Sequence, residues 1–134
     1  MVGQMNYPAQ AYAKTAQQTL QGRDLEAHVL LKSAARLQGI RDNWDVRQGE
    51  LDEALLANRK IWTVFVSSMS GDDCELPGIV RSNMINLGMF TFNRTIQMAI
   101  NPRPQQLSAL IDINRNIAMG LRGNGADTAT PSAA

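Results

Sequence analysis

Apolar residues recur at helical spacing along most of this chain. The plainest run is Leu51, Leu55, Asn58, Trp62, Phe65 and Met69, stepping by three and four, with Ala54 and Ile61 widening the stripe. It predicts a core-facing helix that stops before Gly71. Upstream, Pro8 suits a first helical turn, and Ala9, Ala11, Ala13 and Ala16 favour a first helix over 8–21 that ends at Gly22. Asp24 is placed to cap a second helix, whose face runs through Leu30, Ala34, Leu37 and Arg41, beside Leu31 and Ala35, to about Trp44. Asn43, Asp45 and Gly49 then predict a connection.

Downstream of the third helix, the acidic stretch Ser70 to Glu75 followed by Pro77 makes a loop. A fourth helix begins near Pro77 and runs to Ile100. Its apolar residues, among them Met84, Ile85, Leu87, Met89, Phe90, Phe92, Ile96 and Met98, point in many directions. That distribution predicts burial on several sides and a central position. Pro102 and Pro104 break the chain, and Leu107, Leu110, Asn114, Ile117 and Leu121, beside Ile111 and Ala118, mark a last helix ended at Gly123. Residues 124–134 have too little to bury to offset an ordering cost of roughly 1–2 kcal/mol per residue. The expected architecture is all-α: a compact bundle of about five helices forming one domain, 1–123, with a short disordered C-terminal tail, 124–134.

Composition refines this picture in three ways. A chain of 134 residues with 44% apolar content can bury one core, and an aromatic content of only 5% beside seven methionines makes that core aliphatic and adaptable. The formal charge of +1 lacks the strong field of a dedicated nucleic-acid binder. Charge is nevertheless uneven, with segments 1–41, 42–75 and 76–134 summing to +3, −5 and +3. An acidic middle and basic flanks can pair within the bundle, lie in water, or steer a partner. No run reaches the eighteen apolar residues of a membrane span, and no basic and apolar leader opens the chain, so a cytoplasmic protein is expected.

Catalytic chemistry finds little support. Asp52 and Glu53 are neighbours and point about 100° apart on a helix, which suits first-turn carboxylates better than an acid–base pair. His28 and Cys74 are the only residues of their kinds, too few for a zinc site. Gly71, Gly78 and Gly88 do not form a phosphate-cradling loop. The expectation is a protein without enzymatic activity, cofactor or metal. Asn58, Asn86 and Asn114 lie in or beside apolar stripes, where an amide either bridges helices or grips a ligand backbone. Trp62, Phe65 and Met69 likewise suit either a core or a peptide groove.

Several segments together resemble a known family. They are Tyr12 in an Ala-rich helix, Asp24 to Ala27 leading into Leu30 to Leu37, and Ala54-Leu55 with the run Asn58-Arg59-Lys60-Ile61-Trp62. Further on come Leu76-Pro77 with Ile85 to Phe90, and the run Leu110 to Leu121. These resemble the flagellar biosynthesis regulator FlaF family over roughly residues 7–122, although Gly22 stands where the family usually has a proline. The resemblance implies a factor needed for flagellin production and export, acting as a chaperone or adaptor that covers amphipathic flagellin helices. Trp62, Phe65 and Met69 of the third helix and Met84, Leu87, Met89 and Phe90 of the fourth are the expected partner-binding residues, flexible thioethers being able to repack against related partners. The alternative is a post-transcriptional regulator of flagellin mRNA, acting directly or with the partner regulator FlbT. Dispersed basic residues and few aromatics make direct RNA contact the weaker form.

Overall fold

The computed structural model describes the backbone of residues 7–124 and the side chains of residues 22–123. Helix α1 spans Tyr7–Asp42 without interruption. The break expected at Gly22 is absent, and Asp24 lies inside the helix rather than capping one. A glycine within a helix costs only about 1 kcal/mol relative to alanine and keeps its N–H, so helix formers on both sides carry the helix through it. The described residues form four principal helices instead of about five.

Asn43 ends α1 by donating both its backbone N–H (3.1 Å) and its side-chain Nδ2 (2.9 Å) to the Gly39 carbonyl. A single turn, α2 (Trp44–Arg47), and a 3-10 turn (Gln48–Glu50) reverse the chain. Arg47 closes this reversal with two 2.9 Å hydrogen bonds to the Glu50 carboxylate, which hold that carboxyl below its usual pKa. Helix α3 spans Leu51–Ser70, as its stripe requires. Helix α4 spans Gly78–Ile100 behind Pro77, whose extended backbone (φ −55°, ψ 147°) sets the start. Helix α5 spans Leu107–Met119 and passes into a π turn, Gly120–Asn124. Gly123 there adopts φ 89°, a left-handed conformation that L side chains rarely take. The expected tail lies outside the described residues except for Asn124. No described helix is long and apolar enough to cross a membrane.

The most extensive pairing is α1 with α5, followed by α3 with α4 and α1 with α3. Two apolar clusters fill the interior. One joins Leu37 and Ile40 of α1, Leu51 and Leu55 of α3, Met98 of α4, and Leu107, Leu110 and Ile111 of α5. The other centres on Leu30, Trp62, Phe65 and Ala118, with Met84, Leu87, Phe92 and Ile113 half-buried against it. Between them, in sequence order on each helix, lies a polar layer. Ser33 Oγ donates to Asn58 Oδ1 (3.0 Å), Asn114 Nδ2 donates to the same oxygen (2.7 Å), and Trp62 Nε1 donates to Asn114 Oδ1 (2.9 Å). Asn58, Asn114 and Trp62 are completely buried, so these bonds meet groups that water cannot reach. They tie α1, α3 and α5 into one register.

Helix α4 is peripheral, not central as its scattered apolar residues suggested. Only Gly88, Thr91 and Met98 are buried on it. α1, α3 and α5 already enclose the core, and α4 leans on the outer side of α3. Gly88 sets that approach, since a Cβ there would overlap the Val66 Cγ2 methyl and meet Trp62 Cε3 at 3.6 Å. A β-branched valine cannot swing clear. Gly88→Ala is therefore expected to destabilise the protein by about 1–3 kcal/mol, and Val66→Ala in the same chain to recover part of that loss. Urea unfolding of the three variants measures it; an unperturbed single variant would place α4 farther from α3.

Candidate functional site

A helix that stays wet normally covers its outer face with charge. α3 does so, exposing Asp52, Glu53, Arg59 and Lys60. α4 does not: no exposed position along it carries a charge. In their place stand Ile79, Met89, Phe90, Ile96 and Ile100, with Asn83 and Asn86 among them, and Met89 and Ile100 are 50% and 80% exposed. Scattered surface apolar residues are ordinary, but a whole exposed face without charge is the composition of a surface that becomes covered, because burying a charge costs far more than burying an amide.

Beside this face, α4 and α5 make few close backbone approaches, and a cleft runs between them. Asn83, Asn86, Leu87 and Phe90 form one wall, and Ala109 and Ile113 the other. Arg94 stands at its end, with its guanidinium carbon 5.0 Å from the centre of the Phe90 ring and Nη1 donating to the Gln106 carbonyl at 3.0 Å. Phe90 is thereby held in place and remains exposed.

The seven residues expected to bind a partner separate into three groups. Trp62 and Phe65 are interior, 0% and 5% exposed, and pack edge to face with centroids 5.5 Å apart. The placement of Trp62 in a groove is corrected to the core, because α3 directs it between α1 and α5, whereas Phe65 keeps a sliver of surface towards α1. Met84 and Leu87 are half-buried beneath α4, and Met69 is half-buried near Cys74, whose thiol lies 4.0 Å from the Met69 sulfur. Met89 and Phe90 are exposed. Of the three asparagines, Asn58 and Asn114 form the interhelical layer, whereas Asn86 lines the cleft. The sequence reading missed Arg94, Ala109 and Ile113; the lack of charge along α4 was visible, but its meeting with α5 was not.

A second apolar groove lies between α1 and α3, lined by Leu25, Val29, Ile61, Val64 and Phe65 together with Glu26. Desolvation there raises the Glu26 carboxyl pKa above its usual value, an effect that Arg23 partly offsets. Leu25 and Val64 are exposed, but Asp24 and Glu26 stand on either side of Leu25 and Lys60 lies one turn before Val64. The α4 face is the stronger candidate.

Fold and surface together define an all-α protein of four principal helices, locked by a buried amide layer and presenting one uncharged helix face. The family model for flagellar protein FlaF matches residues 8–121, and the chain belongs to that family. The match supports a role in flagellar biogenesis. Comparisons with curated proteins and with solved structures returned no match.

Proposed function

We propose that this protein binds amphipathic helices of flagellin in the cytoplasm, acting as an export chaperone or adaptor. The observation that carries the reading is the uncharged, partly apolar exposed face of α4 beside the α4/α5 cleft. Helices that polymerise through apolar stripes associate prematurely unless those stripes are covered, and a helix laid in an apolar groove covers them. Half-buried Met84 and exposed Met89 give the surface thioethers that adapt to related partners. Among the residues first expected to bind, Met84, Leu87, Met89 and Phe90 retain this proposed role, with Met69 at the adjoining end of α3.

Copurification from a cytoplasmic extract, with the captured species identified by mass, tests the proposal. Recovery of flagellin supports it; recovery of flagellin mRNA, or of FlbT without flagellin, would replace it with the regulatory reading. Met89→Asp is expected to weaken flagellin binding by about tenfold or more, equivalent to about 1.4 kcal/mol, while leaving the melting temperature unchanged. Titration calorimetry beside a thermal melt separates loss of binding from loss of fold.

A further inference from the structure

The exposed side of α4 has the same chemical order from either end. From its start, Ile79, Ser82, Asn86 and Met89 step inward by three, four and three residues. From its other end, Ile100, Gln97, Asn93 and Phe90 step inward by the same intervals. In both directions the order is isoleucine, an uncharged polar residue, asparagine and a large apolar residue. At the usual helical turn these positions fall within about 100° of arc, on the side turned away from Gly88 and so from α3. All of them are exposed, and they form a strip about 30 Å long.

The strip carries no charge, but the two ends of α4 do. The connection before the helix, residues 71–77, holds Asp72, Asp73 and Glu75 without a basic residue. The connection after it, residues 101–106, holds Arg103 without an acidic one. All four side chains are exposed, and none belongs to an ion pair among the described residues.

We infer that this strip pairs two copies of the chain, their α4 helices antiparallel about a two-fold axis that passes between Met89 and Phe90. Across such an axis each residue must fit the one at the related position of the other copy. Here Ile79 meets the second copy's Ile100, Ser82 its Gln97, Asn86 its Asn93, and Met89 its Phe90. An amide has both donors and an acceptor to offer, so Asn86 and Asn93 satisfy one another on leaving water. The same register carries Glu75 to the second copy's Arg103, acidic end to basic end. A parallel pair would instead set the carboxylates of one copy against those of the other and align the two helix dipoles. Asparagines in a helix seam fix register at a cost in stability, so the pairing is reversible.

The dimer follows from α4 and its flanking connections alone. It covers the face proposed for flagellin, so flagellin is expected to dissociate it, and only that consequence rests on the proposed function.

Sedimentation equilibrium of the full-length protein is expected to show a concentration-dependent dimer. Asn86→Glu/Asn93→Glu is expected to weaken it by about tenfold or more, because carboxylates then meet across the axis. Asn86→Glu/Asn93→Lys is expected to restore it, each glutamate meeting a lysine of the other copy, whereas a parallel pair would set like charges together in both variants. Both positions are exposed, and circular dichroism checks that the variants fold. A wild-type protein that stays monomeric at about 1 mM overturns the inference, as does a dimer that the two variants weaken equally or not at all. A dimer that flagellin neither binds nor dissociates leaves the pairing standing and sinks the flagellin proposal. Flagellin binding by a strictly monomeric protein does the reverse.

Discussion

Replacing Trp62 by alanine is expected to cost about 3–5 kcal/mol of folding free energy, enough to leave a protein of ordinary stability partly unfolded. The indole is completely buried between α1, α3 and α5, so its removal leaves a cavity that rigid helices can only partly close. The change also strips Asn114 Oδ1 of its indole donor. Trp62→Phe separates the two effects, since it keeps a ring against Phe65 and loses the N–H, and is expected to cost about 1–3 kcal/mol. Urea unfolding followed by circular dichroism gives both values. A loss below about 1 kcal/mol for Trp62→Ala would mean that the indole is not sealed inside, and would restore it as a candidate groove residue.

Asn114→Leu is expected to destabilise by about 2–4 kcal/mol although the side chain keeps its heavy-atom count and branching. The substitution orphans the Trp62 indole N–H and removes a donor from Asn58 Oδ1, which keeps only Ser33 Oγ. Asn58→Leu with Asn114→Leu should then cost less than the two single losses added together, with a coupling of about 0.5–3 kcal/mol, because the second change removes a group that the first left unmet. Additive losses in the double-mutant cycle would show that the amides act separately.

Where an apolar stripe is buried by the chain's own helices, the sequence was a direct guide. Leu51, Ala54, Leu55, Asn58, Trp62 and Phe65 repeat at three and four, and all six are buried on α3. Leu107, Leu110, Asn114 and Ala118 behave likewise on α5. Gly22 misled because glycine weakens a helix without blocking it, and only the whole of α1 decides whether the helix continues. α4 misled for a different reason. Hydrophobicity reports that a side chain prefers to leave water, not whether its own chain or another will cover it, so the spread of apolar residues around α4 read as a central position, although Met89 and Phe90, expected to meet a partner, are exposed. The opposite walls of the cleft were beyond reach, because Phe90 meets Ala109 only after the proline-bearing turn has set the course of α5.

Gly88 carries a consequence for how such a surface changes between related proteins. α4 is drawn against α3 where Gly88 admits Val66, and the cleft opens on another side of α4, towards α5. The bore of the cleft is therefore set by a methyl group missing from a position that does not line it. Size exchanges between positions 66 and 88 tilt the helix and rescale the cleft while Asn83, Asn86, Phe90 and Ile113 keep their identities. Divergence in partner size can thus accumulate behind an unchanged set of lining residues, and two proteins with the same cleft sequence need not accept helices of the same girth.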